Sequence, residues 1–400
     1  MRKLRLPHII KIPTLATPIG EKNILTYIIK SIVITLISLC FTNVVIYELG
    51  SISGFVSADK SADFQISDIY NSIADYRDTR QASQHVTVIA VDGCSRQEVL
   101  DVVELVSEYQ PKVIGLDVFF KTAQADSLQV INTLHTTPNL VLPRIIKRQE
   151  DGLYQYTSYS FVEKYLNAQY GYVNLNASAL NDIIRDFTPW QITAKDDTLF
   201  HVATAMAKIA DPEQYHKLQE RNNSIETIKF SSIDIPIISS DEILDGSNDE
   251  YLARNLTNKA VFIGDTLDLH DMYTTPLKGL VPGVLIHAHA LHTILTESYT
   301  DSTPNWLNWL MAIIISILFL FANIIVKEQW SHLGNMIMRL IQVALMFSLV
   351  FIGTYWYNHH LQYLDFSPVI IMLGFCSLSA DIYDGILAAV LQIKKFKQSH

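Results

Sequence analysis

Cysteine is scarce, three residues in a chain of 400, with Cys40 and Cys376 inside apolar runs and Cys94 alone in the long polar middle. A disulfide within that middle is therefore excluded, and an oxidising compartment is permitted without being required. Basic residues are few as well, 30 Lys and Arg against 40 Asp and Glu, for a net charge of −10. The imbalance is concentrated. Residues 49–303 hold about 34 acidic and 19 basic groups, net near −15, which leaves the remainder near +5. Phosphate binding needs a basic face, so nucleic acid is excluded as a partner of the acidic middle. The G-x-S-x-G elbow, the H-E-x-x-H helix and the Walker loop are also missing, and Cys94 has no evident base beside it. These absences argue against hydrolytic or nucleotide chemistry. No internal repeat or low-complexity tract is present.

What the chain has in excess is apolar residues, 49% of the total, and they gather in four runs. The first, from Ile24, follows a segment with Arg2, Lys3, Arg5, Lys11 and Lys22 against one acid, Glu21. It starts too late and runs too long for a cleaved leader and has no A-x-A site, so it is expected to stay as a membrane helix over 24–48 entered from the cytoplasm, with Lys30 snorkelling to that interface. Further spans are expected over 304–326, 340–357 and 366–387. Lys327, His332 and Arg339 mark a cytoplasmic loop over 327–339, the outer loop 358–365 has no Lys or Arg, and Lys394, Lys395 and Lys397 mark a cytoplasmic tail over 388–400. Both termini, including residues 1–23, are thus expected inside, and the acidic region 49–303 outside the bacterial cytoplasmic membrane, periplasmic or extracellular.

The acidic region alternates strand-like and helix-like patterns, as α/β domains do. Val86 to Val91 reads as a strand ending in Asp92, Ser95 and Glu98 form an S-x-x-E capping box, and Val99, Val102, Val103, Val106 and Tyr109 mark one helix face before Pro111. Val113 to Leu116 gives the next strand, ending in Asp117, so the two should be parallel and joined by a right-handed crossover. A helix is expected over Ala123 to Leu134 and another over Phe200 to Ile209. Strands are expected over Leu140 to Ile146, Tyr154 to Ser158, Tyr170 to Leu175, Ile183 to Trp190 and Ile225 to Phe230, in the same sheet or in an appended antiparallel ribbon. The fold class is α/β, a mixed, largely parallel sheet flanked by helices, plus four transmembrane α-helices.

The most informative stretch is Lys259 to Leu295. Lys259 to Ile263 is a β-branched run ending at Gly264 and Asp265, and Val284 to Thr296 shows helical spacing after Pro282 and Gly283. The acidic loop between them carries Asp268, His270, Asp271 and Thr275, where an open α/β sheet meets its ligands. GD, then a His-Asp pair, then TPL, then PGV-x-IHA resembles the signature of the bacterial CHASE type 2 domain, a sensor of cyclases and histidine kinases. VTVIAVDGCS, QPKVIGLDVFF, YGYVNLN and IIRDFTP stand upstream in that family's order, so the resemblance covers roughly Asp68 to Glu297. Two departures stand out: Gly93 follows Asp92 where a second acid is common, and no cytoplasmic output domain follows. The resemblance implies bacterial signal reception and points to Asp271, Thr275 and His287 as positions of the family's blocks.

Asp92, Asp117 and Asp265 each follow an apolar strand, so parallel neighbouring strands would bring their carboxylates to one sheet edge. There they could hold a divalent cation such as magnesium or calcium, or cap helices and fix loop amides. No other cofactor is indicated. His287, His289 and His292 look like a zinc set, but on a helix only His289 and His292 share a face. His287 is expected in the core, bonded to the acidic loop. In the fourth span, Asp381, Asp384 and Gly385 are candidates for contact with a partner, either a separate membrane or cytoplasmic protein or a second copy of the chain.

The function that follows is that of a non-enzymatic sensor, its domain outside and its helices in the lipid bilayer. A stimulus would shift the first span relative to the second and be read by another protein. A transporter or channel component using Asp381 and Asp384, and an extracytoplasmic enzyme using the strand-end aspartates, are the alternatives.

Overall fold

The computed structural model describes residues 21–53, 66–77, 80–150, 152–175, 183–193, 197–246, 248–277 and 279–398. Residues 1–20, which carry most of the expected N-terminal basic segment, lie outside the described residues. The chain forms two compact units, one from Met1–Ile46, Trp306–Phe347 and Pro368–His400, the other from Tyr47–Asn305 and Ser348–Ser367.

The second unit is built on a seven-stranded sheet. Its strands are β1 (Val86–Ala90), β2 (Val113–Asp117), β3 (Leu140–Arg148), β4 (Tyr154–Thr157), β5 (Gln169–Tyr172), β6 (Ile237–Ser239) and β7 (Ala260–Gly264). The order is β6-β1-β7-β2-β3-β4, with β5 also on β3. All pairs are parallel except the β3–β4 hairpin. β7 therefore inserts between β1 and β2, with Gly264 beside both Ala90 and Asp117.

Every residue of β1 and β7 is buried, as a strand covered on both faces requires. Side chains alternate between two cores. Ile89, Ile114, Leu116, Val261 and Ile263 pack under α3 (Arg96–Glu108) and α4 (Ser127–Thr136). Val86, Val88, Val113 and Phe262 pack under α5 (Val202–Ala210) and α9 (Gly283–Leu295). At about 1.5–3 kcal/mol for each fully buried aliphatic side chain, these two layers dominate the domain's stability. α3 starts where expected, because Ser95 and Glu98 close their capping box. α4 starts at Ser127, four residues later than the apolar pattern suggests, since the Ser127 hydroxyl takes the Gln124 amide and holds the chain in a turn.

Small antiparallel ribbons follow, Asp186–Phe187 with Glu226–Thr227 and Trp190–Ile192 with Thr198–Phe200. The strand expected over 225–230 shrinks to two residues. Three polar helices carried too little apolar pattern to be expected: α6 (Pro212–Arg221), α7 (Ser240–Asp245) and α8 (Asp249–Leu256). α2 (Ile66–Arg77) was likewise not expected; it is fixed by Asp68, which receives two hydrogen bonds from Arg185 at 2.9 and 2.8 Å.

The same unit includes residues 348–367. Gln362 and Tyr363 pair in parallel with Asp301 and Ser302, the Tyr70 hydroxyl donates to the Leu364 carbonyl at 3.2 Å, and the Tyr357 hydroxyl donates to Asn71 Oδ1 at 2.8 Å. The outer loop expected over 358–365 thus belongs to the same compact unit as the domain.

Among the described residues, four helical stretches are long and apolar enough to cross a membrane: Ile24–Val44 in α1 (Glu21–Ser53), Asn305–Trp330 and Leu333–His360 in α10 (Asn305–His360), and Ser367–Phe396 in α11 (Ser367–Gln398). α10 is helical throughout, so the loop expected over 327–339 is not an irregular one. It nevertheless folds back. A Cβ on Gly334 would stand 2.6 Å from the Val326 carbonyl oxygen, whereas eight residues of straight helix would separate them by about 12 Å.

Candidate functional site

The acidic edge lies at the carboxyl ends of β1, β7 and β2, where the register sets Asp117 beside Gly264 and Asp92 and Asp265 follow their strands. Asp92 follows β1, and its two oxygens take the amide and the hydroxyl of Thr266 at 2.5 and 2.6 Å. Asp265 turns back into its own loop, accepting from the amides of Leu267 and Asp268 at 2.8 and 3.0 Å. The two carboxyls also share a hydrogen bond. Burial and that sharing push Asp265 up, while Thr266 holds Asp92 below the ordinary carboxylate range despite its burial. Of the pair, Asp265 is therefore the carboxyl that takes up a proton first as pH falls.

Asp117 closes β2 and has no such amides. Burial, reinforced by the charge of Asp271, pushes its carboxyl up to about 7. Asp271 itself is raised, first by burial, although the Tyr273 side chain and the Gly283 amide both favour its charged form. Its carboxylate rests on the first residue of α9 so closely that a Cβ on Gly283 would stand 2.5 Å from Oδ2. A negative group there answers the orphan amides and the dipole of the helix start. Asp271 thus links the acidic edge to α9. Thr275 is buried nearby in sequence, and its hydroxyl has no partner among the described residues.

Among the described residues, no group of three or more His, Cys, Asp or Glu is disposed to hold a metal ion. The carboxylates of Asp92 and Asp265 are occupied by loop amides, which is the structural use of strand-end aspartates.

His287 is buried, but its expected bond to the acidic loop is not formed. One ring nitrogen faces the Val173 backbone, Nδ1 has no partner, and the ring lies 5.0 Å from that of His201. The reason is its place on α9, one turn past Gly283, which carries it beneath the sheet beside Phe262. His289 pairs with the Lys229 carbonyl at 3.2 Å and His292 with the Ser83 hydroxyl at 3.0 Å. The three imidazoles face three different places, so the zinc-like spacing gathers nothing.

In the other unit, Lys30 does not snorkel alone. Its ammonium lies 2.8 Å from Asp384, which also takes Lys327 at 3.3 Å. Asp384 is thereby bound within the chain, whereas Asp381 and Gly385 are exposed, and a Cβ on Gly385 would meet nothing within 4 Å. Of the three candidates on this helix, two remain on a free face.

The family profile described as CHASE2 domain matches residues 71–324. The chain belongs to the CHASE2 domain family. CHASE2 is a sensory domain of the extracytoplasmic side, not a catalytic family, and this chain joins it to apolar helices in a membrane protein. The match begins close to where the sequence blocks do and runs past Glu297 into the second candidate span. No curated protein and no solved structure matches the chain. Three features of this CHASE2 chain escape sequence reasoning: the Asp271–Gly283 contact, the His201–His287 pair and the Lys30–Asp384–Lys327 cluster. Only the last had a signal, a lysine and an aspartate each inside an apolar run.

Proposed function

We propose that this CHASE2 protein is a bacterial cytoplasmic-membrane sensor that reads its stimulus at the acidic edge around Asp117 and Asp271. It passes the result through its helices to a separate protein or a second copy of itself. The observation that carries the reading is that Asp117 feels the charge of Asp271, and that Asp271 in turn meets the first amide of α9. Asp117 is balanced between its two protonation states near pH 7, so a proton or a divalent cation arriving there changes the charge that Asp271 presents to the helix start. Asp381 and Gly385, on the free face of α11, support a contact outside the chain. The positive-inside distribution supports cytoplasmic termini and an outer domain.

The test is hydrogen exchange on the full chain in nanodiscs. Stepping from pH 7.5 to 6, or adding magnesium or calcium at pH 7.5, should change protection in residues 283–295, and Asp117→Asn should abolish both responses. A response equal in the variant would remove the acidic edge from the reading. Cysteine labelling with an impermeant reagent in spheroplasts addresses the topology. A cysteine at Leu361 should react and one at Lys327 should not.

A further inference from the structure

Between α1, α10 and α11 lies a cleft of about 170 Å³ lined by Lys30, Ile34, Asn323, Lys327, Glu328 and Asp384, among others. Its volume is that of about six waters. The helix from Asn305 to Lys327 rises by about 33 Å, one hydrocarbon thickness, and so places this cleft at a headgroup layer. Its aliphatic lining, Ile34 and Ile324, is buried, while Lys30 and Lys327 are partly open.

The charges of the rim are balanced in an uneven way. Lys30 and Lys327 share one carboxylate, that of Asp384. One positive charge is left over, and each ammonium keeps donors beyond the one it gives to Asp384. Both lysines remain partly open, 26% and 39% exposed. Glu328 receives the Tyr27 hydroxyl but, among the described residues, has no cationic partner. Among the described residues, one negative charge is left over there. An anionic headgroup would satisfy the lysines and be repelled by Glu328, and a choline headgroup would bring a cation without N–H donors. A phosphate followed two carbons later by a primary ammonium complements both ends.

We propose that this cleft binds the headgroup of an ethanolamine phospholipid, its phosphate held by Lys30 and Lys327 and its ammonium by Glu328. The bilayer is the source, because the cleft stands at headgroup depth, one hydrocarbon thickness from Asn305. Bound there, the lipid ties three helices at one level. The inference rests on the helix unit alone and does not depend on how the outer domain is stimulated.

The experiment is thermal melting of the full chain in detergent micelles, followed by tryptophan fluorescence. Phosphatidylethanolamine, phosphatidylcholine, phosphatidylglycerol or soluble glycerophosphoethanolamine is titrated in. The ethanolamine lipid should raise the midpoint at about one-tenth the concentration needed by the other two lipids, a difference of about 1.4 kcal/mol in binding. Glu328→Gln should erase the advantage over phosphatidylcholine. An equal or greater effect of phosphatidylglycerol would overturn the zwitterion assignment. An equal molar effect of the soluble headgroup would overturn the bilayer as source. Native mass spectrometry of the wild-type chain from mixed-lipid micelles needs no variant. It should show ethanolamine lipid retained in excess of choline lipid, and retention in the supplied ratio would defeat the proposal.

Discussion

The carboxylate of Asp271 lies against the backbone of Gly283, leaving no space for a side chain at the first residue of α9. Two requirements meet at this point. The helix start offers an unpaired amide to an acid, and the acid reaches it only because position 283 has no Cβ.

Gly283→Ala should therefore displace the carboxylate or the helix start, at about 1–3 kcal/mol, the usual range for overpacking a close contact. The measurement is chemical or thermal denaturation of the full chain. Asp271→Asn keeps the shape and loses the charge, so its cost should be smaller and should fade as salt rises. A neutral Gly283→Ala would mean that the contact is not maintained in solution.

How much of this could be seen in the sequence depends on the range of each interaction. β1, β2, β7 and α9 were legible because short buried strands and a largely apolar helix write themselves in consecutive residues, and Ser95 with Glu98 marks a helix start within one turn. That Asp92, Asp117 and Asp265 lie at one edge of the sheet was legible once the strands were taken as parallel neighbours; that Asp92 pairs with Asp265 while Asp117 feels Asp271 was not. The partner of His287 was not, since His201 is far away in sequence and sits at the cap of another helix. Nor was the pairing of Lys30 with Asp384, 354 residues apart. Helices α6 and α8 escaped because their mean character is polar and they touch the core through two residues each. The docking of residues 361–364 escaped because a hydropathy pattern ends where the span ends.

The buried histidines set the direction of the pH dependence. Burial holds His287 at about 3 and His289 and His292 at about 4, below the unfolded value of about 6.5. A depressed imidazole leaves stability complete above the unfolded pKa and withdraws it as pH falls, because the unfolded chain binds the proton first. Each should cost on the order of 2 kcal/mol between pH 6.5 and 5. Asp117 has the opposite sign. Its carboxyl is raised to about 7, so its contribution is full below about 3.9 and is lost as pH rises through 7. Melting midpoints from pH 5 to 8 should rise steeply up to about 6.5 and then flatten. Asp117→Asn should lift the midpoint at pH 8 relative to the wild type and leave it unchanged near pH 4. A midpoint that falls steadily from pH 5 to 6.5 would contradict the histidine assignment.

Tyr357 offers the most direct test of the ordered segment 348–367. Its side chain is 1% exposed, its hydroxyl donates to Asn71 Oδ1 at 2.8 Å, and the Lys229 ammonium stands 4.7 Å from the ring centre. Tyr70, on the same helix as Asn71, sits beside it at 6.3 Å between rings and reaches the Leu364 carbonyl. Removing the Tyr357 hydroxyl leaves a buried carboxamide oxygen unpaired, which costs about 1–3 kcal/mol. Replacing Asn71 by an apolar residue as well should recover part of that loss, because neither polar partner then remains. Tyr357→Phe should accordingly lower the melting midpoint and speed hydrogen exchange in residues 66–77 and 361–364 while leaving α3 unchanged, and Tyr357→Phe combined with Asn71→Leu should be less destabilising than the sum of the two single changes. Strictly additive costs would show that the two side chains do not meet in the membrane-embedded protein, and the residues after His360 would then have to be held by the pairing of Asp301 and Ser302 with Gln362 and Tyr363 and by the Tyr70–Leu364 bond.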